Sequence, residues 1–166
     1  MFSDDSWIED LALEELRMDE SGVVDYFGHI DPATVIEESS IDFMNQLREK
    51  FEFFINIFNQ ARGNNYQIKI FKISNTVNDF MLFRNSLRLI FTRKSSDLVT
   101  IGFLSGNGEL IPIKISRMLP EQAAPSEIRA HVGPFNKVTW QFAGEQIDLD
   151  ALVKFYLSEF IRNSAK

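Results

Sequence analysis

Two histidines and no cysteine leave acid–base and nucleophilic chemistry few places to reside in this chain. His29 and His131 are the candidates for a general base. Such a base must reach the proton it removes, and a nucleophile must reach its base. The sequence has no Gly-x-Ser-x-Gly elbow, no His-Glu-x-x-His stretch and no carboxylate pair at a catalytic spacing. Without cysteine there is no disulfide, no thiolate nucleophile and no cysteine-based zinc or iron–sulfur site. Glu145, Asp148 and Asp150 are close in sequence, but they lack the glycine-centred calcium-loop pattern, and Asp148 has a simpler use as a helix cap. Gly102 to Gly108 is glycine-rich, yet neither a helix nor Lys-Ser/Thr follows, so a hairpin explains it better than a phosphate cradle. The expectation is a non-enzymatic protein with no metal and no cofactor.

Basic side chains offer a second chemistry. Lys69, Lys72, Arg84, Arg88, Arg93, Lys94, Lys114, Arg117, Arg129 and Lys137 fall in or beside predicted strands. Gathered on one face they would neutralise phosphates, and Tyr66, Phe91, Phe135 and Trp140 are candidate stacking partners for single-stranded bases. A period of two places Arg88 and Lys94 on one face, with Ile90 and Thr92 between, and Arg93 on the other. An isoelectric point near 4.9 weighs against nonspecific affinity for nucleic acid.

Charge is segregated along the chain. Residues 1–40 hold 12 acids and one base, Arg17, whereas residues 41–166 hold 12 acids and 16 bases. A segment at −11 therefore precedes a body at +4, within a total of −7. The acidic arm, taken as residues 1–35, is not merely polar. Ile8, Leu11, Ala12 and Glu15/Leu16 fall near one side of a predicted helix, with Trp7 beside them; Ser3 or Ser6 would cap it and Gly22 would stop it. So short a helix is marginal alone and needs a surface to pack on. Val23 to Pro32 carries enough apolar residues that part of it is expected to pack.

These features need a scaffold, expected as one domain over residues 36–166. Ser39 and Asp42 have the spacing of a capping box. A long helix follows to about Arg62, with Ile41, Met44, Leu47, Phe51, Phe54, Ile55 and Phe58 as its apolar stripe. Phe43, Phe53 and Ile57 widen that stripe, which predicts burial on two sides. Gly63 ends the helix. Strands are expected at Tyr66–Ile73, Leu87–Arg93, Leu98–Leu104, Leu110–Ile115, Glu127–Val132 and Lys137–Ala143, with Pro112 marking an edge or a bulge. Residues 75–85 fit either a helix or a strand. Asp148 caps a last helix to about Arg162, with Leu152, Val153, Tyr156, Phe160 and Ile161 inward.

The predicted class is therefore α+β: a long N-terminal helix, a curved antiparallel sheet of six or seven strands and a C-terminal helix. There is no apolar stretch long enough to span a membrane. An acidic start argues against a signal peptide and for the cytoplasm. The expected function is an adaptor-like or chaperone-like protein-interaction module, with a protein partner or a second copy of the chain. Its arm would dock on a basic surface, its own or a partner's, through Trp7, Ile8, Leu11 and Leu16 against a strip of Arg84, Arg88 and Arg93. The alternatives are a single-stranded nucleic-acid binder using a basic sheet face, and a small-molecule or lipid-headgroup binder in a cavity between sheet and helix.

Overall fold

Asp5 precedes the first helix, α1 (Ser6–Ser21), in the computed structural model, which describes residues 5–23, 31–113, 115 and 124–165. Gly22 ends α1 in the left-handed region at φ 68°, where its N–H donates to Met18 O at 2.8 Å. The N-cap is Asp5 rather than a serine, and its side chain makes no capping bond; Ser6 is the first helical residue. Ser3 lies outside the described residues, as do residues 24–30, where packing was expected. No residue of α1 is buried. The chain divides into two compact units, Met1–Asp31 and Pro32–Lys166.

The second unit opens on α2 (Pro32–Arg62). The helix begins seven residues before Ser39, because proline suits the first turn, where no amide hydrogen bond is required of it. Ser39 and Ser40 are thus not caps. They are mid-helix anchors: Trp140 Nε1 donates to Ser39 Oγ at 3.1 Å, and Arg93 Nε donates to Ser40 Oγ at 2.7 Å. Gly63 closes α2 as expected, its N–H donating to Asn59 O at 3.0 Å.

Among the described residues seven strands follow: β1 (Lys69–Lys72), β2 (Phe80–Arg84), β3 (Leu87–Ser95), β4 (Leu98–Leu104), β5 (Ser126–Val132), β6 (Val138–Phe142) and β7 (Glu145–Gln146). They form one antiparallel sheet in chain order, so every neighbour in the sheet is a neighbour in sequence. Residues 75–85 resolve as a turn and β2. The first strand starts later than its sequence implies, because Asn64–Tyr66 forms a short 3-10 turn. Asn59 then clamps Ile68, accepting its N–H at 2.8 Å and donating to its carbonyl at 3.0 Å. Of the expected strand at Leu110–Ile115, the described residues 110–113 and 115 make isolated bridges and no strand, and Lys114 lies outside the described residues. Leu110 forms a single bridge to Leu104, and Ile111 N–H donates to Phe103 O at 2.9 Å. The rest of that flank of β4 is occupied by β5, through Leu98–Arg129 to Ile101–Ser126. The sheet edges are consequently β1 and β7, and not the stretch around Pro112.

Asp148 caps α3 (Leu149–Ser164), its Oδ1 accepting from Asp150 N at 2.9 Å and Ala151 N at 3.4 Å. Both helices of this unit pack on one face of the sheet. Phe51 of α2 lies 6.2 Å from Phe80 and 4.8 Å from Phe91, and Tyr156 of α3 lies 6.4 Å from Phe91 and 6.0 Å from Phe103. Phe43 stacks on Trp140 at 4.6 Å. Much of the phenylalanine content is therefore core, but α2 is buried on one side only. Phe53, Phe54 and Ile57, expected inside, are 62%, 43% and 52% exposed. An α2 helix on one face of a single sheet, with α3 as its neighbour, leaves its outer side in solvent.

Candidate functional site

Alternation along the strands sorts the basic residues onto two faces. Phe80, Leu82, Leu87, Leu89 and Phe91 are buried beneath the helices, and Arg84 and Arg93 share their face. Arg84 is only 5% exposed. Its Nε donates to Ser164 Oγ at 2.9 Å, Nη1 to Tyr66 O at 3.3 Å and Nη2 to Ile161 O at 2.8 Å. It thereby holds the last turn of α3, where exposed carbonyls favour a cation. Burial lowers its pKa from the ordinary arginine value, and the charge of Arg62 adds to that. Arg93 is tied to α2 by Ser40 and by an ion pair with Glu37. Arg88 is on the opposite face, half-buried, with Nη2 reaching Ser105 O at a long 3.5 Å. The three arginines expected to make one acceptor strip are not brought together. Two are structural, and one faces out.

The face that α2 and α3 leave open has its own pattern. Cross-strand register aligns Lys69, Phe83, Arg88 and Leu104 in one row across β1 to β4, and Phe71, Met81, Ile90 and Gly102 in the next. A Cβ at Gly102 would meet Leu110 Cδ2 and Pro125 Cβ, both at 3.4 Å, so these two residues close the block on the β4 side. Phe71 is 44% exposed, and Met81, Phe83 and Ile90 are half-buried. The result is an apolar block with Lys69 and Arg88 astride Phe83. Beyond it the open face turns polar, with Thr92, Thr100, Glu127, Arg129, His131 and Thr139, and Glu127 pairs with Arg129 at 2.9 Å.

The arm residues singled out from sequence all stand in solvent: Trp7, Ile8, Leu11 and Leu16 are between 41% and 61% exposed. Six acids and one base share α1 with them. Of the candidate stacking residues, Phe91 and Trp140 are core. The Tyr66 ring is covered by Arg62 at 4.4 Å, and Phe135 is fully exposed at the β5–β6 turn, with a positive φ of 60°.

A cavity of about 290 Å³ lies between α3 and the sheet. Ile115, Ile128, Phe142, Ile147, Leu152 and Phe155 give it apolar walls, and Asp148 and Tyr156 contribute the polar groups. Both are already engaged, Asp148 as the α3 cap and Tyr156 by a hydrogen bond with Ser126. Burial pushes the Tyr156 hydroxyl up to about 12, against the smaller opposing effect of Ser126. His131 is exposed on β5, and His29 lies outside the described residues. Among the described residues no group of three His, Asp or Glu side chains is placed to hold a metal ion, and no helix is long and apolar enough to cross a membrane.

The apolar block was missed in the sequence because Phe80–Phe83 is apolar in both phases of the strand period. That double phase was the available signal. A strand apolar on both faces, in a sheet with helices on one side, leaves one apolar face open.

No family model matches the chain, and neither a curated protein nor a solved structure is significantly similar to it.

Proposed function

We propose that this protein is a non-enzymatic protein-interaction module, adaptor-like or chaperone-like and acting in the cytoplasm, with α1 as its recognition helix. One observation carries the proposal: Trp7, Ile8, Leu11 and Leu16 are all exposed on a helix that buries none of its residues. An isolated helix of this length gains little from its own hydrogen bonds, so a partner surface supplies most of its stability. Burial of the four side chains contributes roughly 25 cal/mol per Å² of apolar area removed from water. The acids contribute less affinity each, but they direct the encounter toward a basic surface.

Photo-crosslinking from position 11 tests this. With a benzophenone side chain at Leu11 of the full chain, the expected product is a crosslink to protein, either a second copy or another chain. Irradiation that leaves only uncrosslinked monomer, in cell extract and in concentrated pure protein alike, contradicts it.

The cavity beside Tyr156 supports a second reading, an apolar small-molecule site between helix and sheet. Filling it by Ala151→Leu would abolish binding of an apolar dye at that site while leaving the α1 crosslink intact.

A further inference from the structure

We infer that the apolar block on the open face of the sheet is the acceptor for α1 of a second copy of this chain. The inference rests on α1 being a recognition helix, and it names where that helix binds.

Charge is the first argument. Within the block, Lys69 and Arg88 flank Phe83 in one cross-strand row. Lys69 is exposed and Arg88 half-buried. Opposite charge is what α1 supplies, with Glu9, Asp10, Glu14, Glu15, Asp19 and Glu20 against Arg17. The other exposed apolar patch of Pro32–Lys166, Phe53, Phe54 and Ile57 on α2, lacks this complement. It is bordered by Glu49, and by a Lys50 already paired with Asp150 at 2.6 Å.

Size is the second argument. Four adjacent strands, at roughly 4.8 Å per gap, span about 14 Å. Along a helix rising about 1.5 Å per residue, the face from Ile8 to Leu16 covers about 12 Å, with Trp7 beside it. Laid across β1 to β4, the apolar stripe of α1 therefore matches the width of the block. Leu110 and Pro125 limit it at β4, and β1 is an edge strand of the sheet.

Chemistry is the third. The block offers Phe71, Met81, Phe83 and Ile90, two of them aromatic and one the adaptable thioether suited to an indole such as Trp7. Among the described elements, α1 is the acidic helix with an exposed apolar stripe. A reciprocal pair of chains would bury two such contacts.

The test uses full-length variants and mass by light scattering with sizing. One variant, Trp7→Ala with Leu11→Ala, removes the stripe. A second, Lys69→Glu with Arg88→Glu, reverses the acceptor charge, and Phe71→Ser disturbs the acceptor without changing charge. Far-UV circular dichroism and thermal melting confirm that each is folded. The expected result is a dimer for the parent, twice 19.2 kDa, and at least about tenfold weaker association for each variant alone. An equimolar mixture of stripe and charge-reversal variants is expected to recover a mixed dimer, because it retains one intact α1 and one intact block.

A monomeric parent overturns the inference. So does a charge-reversal variant or Phe71→Ser that associates like the parent; if Trp7→Ala nevertheless abolishes the crosslink from a benzophenone at position 11, α1 remains a recognition helix with a different acceptor. A mixture that does not recombine overturns the assignment to a second copy.

Discussion

Arg84 and Arg88 are four residues apart and point to opposite faces of the same sheet. The β2–β3 turn between them consists of Asn85 and Ser86, both at positive φ, 51° and 69°, as a two-residue hairpin requires. Arg84 then bonds Ser164, Tyr66 and Ile161 under α3, while Arg88 stands beside Phe83 on the open face. Identical side chains so close in sequence are thus assigned different work, one holding a helix end and the other available at a surface.

Arg84→Ala is expected to cost about 2 to 3 kcal/mol, because Tyr66 O and Ser164 Oγ lose the guanidinium and Ile161 O keeps only the long 3.4 Å bond from Ser164 Oγ. Arg88→Ala should stay within about 0.5 kcal/mol. Denaturant unfolding of the two variants measures the contrast. Equal losses would mean that the two arginines are not divided between the faces in this way.

Phe51 and Phe53 make the corresponding comparison on α2. Phe51 is fully buried against Phe80 and Phe91, so Phe51→Ala should cost about 3 to 5 kcal/mol. Phe53→Ala removes an exposed ring and should change stability by no more than about 0.5 kcal/mol. A large loss at Phe53 would place a packing partner on the outer side of α2.

Asp79 tests the cost of a buried carboxylate. It is 7% exposed and accepts from Arg93 N at 2.8 Å, and burial raises its pKa above the ordinary 3.8 despite that hydrogen bond and the nearby charges of Lys94 and Arg93. A carboxyl whose folded pKa is raised gives stability that is complete below its unfolded pKa and is lost as pH rises through the folded one. At pH 7 the charge is therefore a cost. Asp79→Asn keeps an acceptor for Arg93 N without the charge, so it should melt at or above the parent temperature at pH 7. Its advantage should vanish on acidification. A variant that melts lower at pH 7 and stays lower in acid would refute this.

Tyr156 gives the same sign at the alkaline end. Its hydroxyl is pushed up to about 12 from 10.0 by burial. Stability should hold below pH 10 and fall as pH rises toward 12, with Tyr156 ionising late in an ultraviolet titration. Tyr156→Phe removes that alkaline loss but gives up the Ser126 bond, at about 0.5 to 1.5 kcal/mol near neutrality. Ionisation of all tyrosines near pH 10 in the folded protein would contradict the burial of this one.

The α+β class, both long helices, the Asp148 cap and most strands were readable from periodicity and turn chemistry, because those signals are local. Three features were not. Phe53, Phe54 and Ile57 have the spacing of core residues, and only the one-sided placement of α2 puts them in solvent. Ser39 resembles a cap, and its role appears only when Trp140 arrives from β6 to donate to it. The cross-strand row of Lys69, Phe83 and Arg88 draws on three strands, so no window of sequence contains it. The helix of α1 was readable, because its spacing and its Gly22 stop are local.

Light scattering with sizing on the full chain, at low and high salt, beside the Trp7→Ala, Leu11→Ala double variant, tests most directly whether α1 is a recognition helix. The parent is expected to associate at low salt, to weaken as salt screens the acidic helix from a basic surface, and to become monomeric when the two apolar side chains are removed. Parent and variant running as identical monomers at every salt and concentration would contradict self-recognition through α1. Absence of any Leu11 crosslink in extract would then remove the recognition role itself.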